Sequence, residues 1–158
     1  MFFKDLSLYS YFGFELDNVY CVGWLSRRHR YARGHVPDDV LQKLIALAWS
    51  HPQQKTRGYH RCTLCPWPLG QLFIPKLTRN TGLLVLGSAE IWVPSVDGSC
   101  FYSAPNLIIH YIKRHWYCPP REFVEALERF EPHPGWKPHP LAKYSLPAVG
   151  SGKANADS

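Results

Sequence analysis

The chain has 158 residues, 46% hydrophobic and 15% aromatic, which suits one domain with an ample core. Its net charge of +6 is too moderate for a histone-like or ribosomal chain. No run approaches the roughly 18 apolar residues of a membrane span. The start carries Lys4, Asp5, Glu15 and Asp17 among its aromatics and so lacks the apolar core of a signal peptide; the expectation is a cytoplasmic protein with no membrane partner.

The first 25 residues alternate loosely, and VYCVGWL over 19–25 reads as a buried strand ended by the charged turn SRRHR. An amphipathic helix is predicted from Asp38 to about Trp49, with Val40, Leu41, Leu44, Ile45 and Ala48 on one stripe. Asp38 and Asp39 stand at its N-terminus, where the helix dipole favours negative charge. An exposed loop, SHPQQKTRG, leads to HRCTLC, and Pro66 and Pro68 close that turn. GLLVLGSAEIWV (82–93) and CFYSA (100–104) flank PSVDGS, whose Asp97-Gly98 pair predicts a hairpin. A second helix is expected over 105–115, with Ser103 as its cap and Pro105 in its first turn. Pro119-Pro120 breaks it, and REFVEALERF forms a last helix with Phe123, Val124, Leu127 and Phe130 on one side. The reading is an α+β domain over 1–130, with a knuckle turn, a hairpin and helices around one core. Residues 131–158 read as a Pro/Gly-rich tail, largely disordered.

Five cysteines, one CxxC and no export signal point to metal or redox chemistry more than to a disulfide framework. A redox CxxC opens a helix after a strand, whereas Cys62 and Cys65 are followed by prolines, so a structural zinc ion is favoured. His110 and His115 are the best remaining ligands. On an ideal helix at ~100° per residue they stand about 140° apart. Only a last turn tightened or unwound near the prolines would bring them together. His60 and Cys118 stay open as replacements, while Cys21 and Cys100 lie in apolar runs and read as buried hydrophobes.

HRCTLC, LGSAEIWV and YSAPNLIIHYIKRHWYCPPREF together resemble a family of uncharacterised bacterial proteins. Its pattern is an H-x-C-x2-C turn, an LGxxEIxV strand and an APxLIxHYIxxHxYxPPxEF segment. FFKDLSLYSYF and the VGWL of 22–25 are similar to that family's start, so the likeness spans most of 1–130. The resemblance implies a shared architecture and metal binding through Cys62, Cys65, His110 and His115, and no activity. Likeness to two-Cys two-His zinc fingers is local. The 44 residues between Cys65 and His110 far exceed a finger loop, so DNA binding does not follow from it.

Arg27, Arg28, Arg30 and Arg33 concentrate four positive charges in seven residues and offer phosphate contacts, or else a solvated turn. His29, His35, His60, Asp38, Asp39 and Glu90 are the available acids and bases, but no nucleophile elbow, phosphate loop or HExxH organises them. Glu90 reads as an exposed strand residue. Trp67 and Trp136, in Pro-rich settings, are the tryptophans expected at the surface, as docking contacts or as a tail folded over the domain. The functional expectation is a zinc-stabilised binding or adaptor module with a protein partner, such as an immunity or regulatory protein. A nucleic-acid-binding protein using 27–33 is the alternative, and a small zinc-dependent hydrolase the second.

Overall fold

The computed structural model of the chain describes residues 1–11, 16–66, 74–79 and 82–138. Trp67 and the tail beyond 138 lie outside the described residues. The chain forms α+β architecture, with a four-stranded sheet ordered β1 (Leu8–Tyr9), β2 (Leu16–Cys21), β6 (Phe101–Pro105) and β5 (Glu90–Pro94). β3 (Lys76–Arg79) and β4 (Gly82–Val85) make a separate two-stranded ribbon. The helices are α1 (Asp38–Ser50), α2 (Ile108–His115) and α3 (Arg121–Arg129).

β2 and β6 run parallel, Val19 opposite Phe101 and Cys21 opposite Ser103. The other neighbours in that sheet are antiparallel. β2 bulges where Asn18 takes a left-handed φ of 61°, which lets Leu16, Val19 and Cys21 all point inward. The strand ends at Cys21, short of the expected Leu25, because Gly23 turns the chain with a φ of +72°. A Cβ at Gly23 would stand 2.9 Å from the Ile108 side chain, so glycine is required there. Val22, Trp24 and Leu25 remain buried although they leave the sheet.

Alternation along β5 and β6 divides the core in two. Ile91, Val93, Tyr102 and Ala104 face the helices, where they meet Leu44, Ile45 and Ala48 of α1, Ile108 of α2, and Phe123 and Leu127 of α3. Trp92 and Phe101 face the other way and pack with Tyr9, Val19 and Trp24, under Phe3 and Tyr11 of the N-terminal arm. α1 follows its apolar stripe over almost the bounds predicted.

Three local expectations change. The apolar run 82–93 is two strands, because Leu86-Gly87-Ser88 turns between β4 and β5. Gly87, at φ +92°, lies so close to the His60 carbonyl that a Cβ would come within 2.2 Å of its oxygen. Ser103 and Pro105 belong to β6, because pairing with β5 extends to Glu90 opposite Pro105, and α2 therefore starts only at Ile108. The hairpin at Asp97-Gly98 is present, with Asp97 Oδ1 accepting from the Ser99 N–H at 3.0 Å and Gly98 at φ +73°. Residues 131–138 lie on the domain: Trp136 sits edge-on to Phe130 at 4.7 Å between ring centres, and Lys43 pairs with Glu131 at 2.7 Å.

Candidate metal centre

The turn carrying Cys62 and Cys65 is fixed from both sides. The His60 N–H donates to the Gly87 carbonyl at 2.8 Å, and the Arg27 N–H donates to Thr63 Oγ1 at 3.3 Å. α2 packs Ile108, Ile109 and Ile112 into the core and carries His110 and His115 past the turn.

The four donor atoms, Cys62 Sγ, Cys65 Sγ and one nitrogen each from His110 and His115, all lie within 4.8 Å of one another. His115 Nε2 is 3.2 Å from Cys62 Sγ and 3.4 Å from Cys65 Sγ, and His110 Nε2 is 3.3 Å from Cys65 Sγ. The two imidazoles stand edge to face, 5.1 Å between ring centres.

The helix end accounts for this convergence. His115 is the last helical residue, and Trp116 follows in left-handed backbone at φ 57°. The N–H groups of both Trp116 and Tyr117 donate to the Tyr111 carbonyl, which replaces the usual four-residue bond by five- and six-residue bonds. A wider closing turn advances less per residue, which swings His115 back toward His110. The turn at Trp116 stops the helix before Pro119-Pro120 is reached, so the prolines are not the cause.

Burial is the main electrostatic influence. It pushes the Cys62 thiol up to about 12, and it lowers His110 to about 4, with His115 and Arg114 adding to the effect. His115 is lowered too, by burial first and then by Arg114 and Arg33. Both imidazoles are therefore neutral at physiological pH and keep a lone pair to donate. The Cys62 thiol ionises there only if a cation compensates it. Two thiols and two neutral imidazoles converging on one point form a group that could hold a metal ion.

His60 and Cys118 stand apart from this quartet. His60 Nε2 bonds the Tyr11 hydroxyl at 2.9 Å, and Cys118 Sγ is 3.9 Å from the Pro119 carbonyl. Cys21 is buried in the sheet and Cys100 half-buried. All five cysteines are free thiols.

Glu90 corrects the sequence reading, being 2% exposed instead of at the surface. Its strand phase is as expected, but Tyr9 and Trp24 cover the face it occupies. Its carboxylate accepts from Tyr9 Oη at 3.0 Å, Trp92 Nε1 at 2.7 Å and Ser103 Oγ at 2.7 Å. Burial nevertheless raises it to about 7. Among the described residues, His29, His35, His60, Asp38, Asp39 and Glu90 share no hydrogen bond with one another. His29 instead stacks on Phe2, 3.6 Å between ring centres.

Arg27, Arg28, Arg30 and Arg33 are all exposed. Arg33 lies over the Tyr31 ring at 5.1 Å and donates to its hydroxyl at 3.1 Å, while that hydroxyl donates to the His115 carbonyl at 3.3 Å. The basic loop is thus attached to the end of α2. Lys113, Arg114 and Trp116, in the run KRHW beside it, are exposed as well.

A family model described as a domain of unknown function (DUF7919) matches residues 1–128. No curated protein and no solved structure matches the chain. No helix among the described residues is long and apolar enough to cross a membrane.

Proposed function

The chain belongs to the DUF7919 family, and from that premise we propose that it is a binding module held together by a structural zinc ion. The convergence of Cys62, Cys65, His110 and His115 carries this reading. Zinc takes thiolate at about 2.3 Å and imidazole at about 2.0–2.1 Å in a tetrahedron, whose sulfur-to-nitrogen edges are then about 3.6 Å. The spacings of 3.2–3.4 Å between sulfur and nitrogen need only a small outward movement to match. Mixed thiolate and imidazole donors suit zinc better than magnesium or calcium, which take oxygen. Four protein ligands close the coordination sphere, which argues against the small hydrolase, since a catalytic zinc keeps one position for water. Free thiols suit a reducing compartment, so a cytoplasmic location in a bacterial cell remains part of the proposal.

The sequence favoured a protein partner, such as an immunity or regulatory system would supply. The cations gathered around the quartet favour the second reading, a nucleic-acid partner. The zinc reading is tested by metal analysis of the purified chain, with one zinc per chain expected and none after Cys62→Ser. Cobalt substitution should give a thiolate charge-transfer band and intense tetrahedral d–d bands. A chain purified without metal that takes up neither ion overturns it.

A further inference from the structure

We propose that the surface around the quartet binds single-stranded nucleic acid, with Trp116 stacking on a base and Arg33, Lys113 and Arg114 contacting phosphates. The inference deepens the binding-module reading by naming the partner class. Three segments meet here. Besides the contact from Arg27 to Thr63, the Gly34 N–H donates to the Trp116 carbonyl at 2.9 Å and the Cys118 N–H to the Ala32 carbonyl at 3.0 Å. The loop 26–35, the knuckle 60–66 and the end of α2 with its continuation, 113–120, contain no aspartate or glutamate.

Arg27, Arg28, Arg30, Arg33, Lys113 and Arg114 are all exposed, and their six charges equal the net charge of the entire chain, +6. The rest of the molecule is balanced. Among the described residues the ion pairs are Lys43 with Glu131 and Arg121 with Glu125, so none of these six is in one. Asp5 is the nearby carboxylate, sharing a cavity with Arg30, but it is half-buried and accepts from the Gly23 N–H and the Tyr117 hydroxyl, both at 2.8 Å.

Charge alone would suit any polyanion; the aromatic groups narrow the choice. Trp116 is 65% exposed, and its backbone is held in left-handed geometry by bonds at both its N–H and its carbonyl. A flat exposed ring next in sequence to a basic run stacks on unpaired bases, which a duplex does not offer. Arg33, stacked on Tyr31, presents an already ordered fork to a phosphate. A cavity of about 300 Å³ is lined by Leu77, Leu86 and Ile109 together with Lys76, Lys113 and Arg114, apolar enough for a base and basic enough for a backbone. A helix that reads a duplex from its major groove carries a basic stripe. α1 offers only Lys43, which is engaged with Glu131, and α2 is eight residues long with its isoleucines buried.

The test is fluorescence anisotropy of the zinc-loaded full chain with a labelled 12-nucleotide oligothymidylate and the matching oligouridylate. Binding should weaken with salt at a logarithmic slope of about −2 to −4, the response of three to six phosphates on a single strand. Trp116→Ala should weaken binding about 5- to 150-fold, and Trp116→Phe should recover most of it. Arg33→Glu with Arg114→Glu should weaken it at least about tenfold and flatten the salt slope. Metal content and Tm of each variant separate lost contacts from lost folding. Absence of binding by a folded, zinc-loaded wild type overturns the proposal, as does a Trp116→Ala chain that binds normally. Tighter binding to a 12-base-pair duplex overturns it too, and equal competition by polyglutamate would point to an acidic protein instead. Oligonucleotide binding by a chain that never takes up zinc would overturn the staple and leave this surface standing.

Discussion

Glu90 and Cys62 are equally buried, each 2% exposed, yet their surroundings differ in kind. The Glu90 carboxylate gathers three donors from Tyr9, Trp92 and Ser103, so its hydrogen bonding is complete within the protein. Around Cys62 the groups are two thiols and two neutral imidazoles, better suited to donating electron pairs to a common centre than to satisfying one another. A buried polar cluster that is complete pins strands together; one with donors in excess marks a site. The same degree of burial thus accompanies architecture on one face of the sheet and, beyond the other, a group that could hold a metal ion.

Loss of metal is the sharpest break of this comparison. Chelation or Cys62→Ser should destabilise the domain by more than about 5 kcal/mol, seen as a large fall in Tm, because metal binding at such sites is coupled to folding. Unchanged Tm after chelation would place the two clusters in one class. Glu90→Ala should come next, at about 4 kcal/mol, since it leaves a void and deprives the Trp92 N–H and two hydroxyls of their acceptor. Urea titration checks it, and metal content should be unaffected.

The third effect is a pH dependence. Glu90 stands at about 7 in the folded chain against an ordinary 4.5. The folded state therefore binds its proton more tightly than the unfolded state does. Its contribution is fully present below about pH 4.5 and is lost as pH rises through about 7, worth on the order of 3 kcal/mol. Metal capture runs the other way, because protons compete with the metal for the thiolates. In the metal-free chain, if it folds, His110 and His115 run against Glu90, because their lowered folded values add stability as pH rises toward 6.5. Glu90→Gln should therefore remove the loss of stability between about pH 5 and 7 that Glu90 contributes, read as the difference from the wild type. The smallest effect is Trp136→Ala, about 1 kcal/mol, for the edge contact with Phe130; no change would show that 131–138 merely rests on the domain.

Local pattern made α1 and the Asp97-Gly98 hairpin readable, since an amphipathic stripe and a turn pair depend on neighbours in sequence. Ser103 and Pro105 misled for the converse reason: their local helix-start signal yields to strand pairing with β5. The parallel contact of β2 with β6 left no trace, because both strands are short and some 80 residues separate them. At the site, Cys62 and Cys65 were legible from spacing. His110 and His115 were named, but regular helix periodicity set them apart, and the wider last turn closed on the Tyr111 carbonyl resolves it. Glu90 had the correct phase; what sequence could not supply was the aromatic arm lying over it.

Trp116 has a consequence for how this chain tolerates change. A bulky residue at φ 57° sits where glycine or asparagine rests without strain. Selection for heat resistance alone would drift position 116 toward glycine and erase the exposed indole with it. On the proposed role for Trp116, stability and recognition pull this one position in opposite directions, and a thermostabilised variant is where their separation would first be noticed.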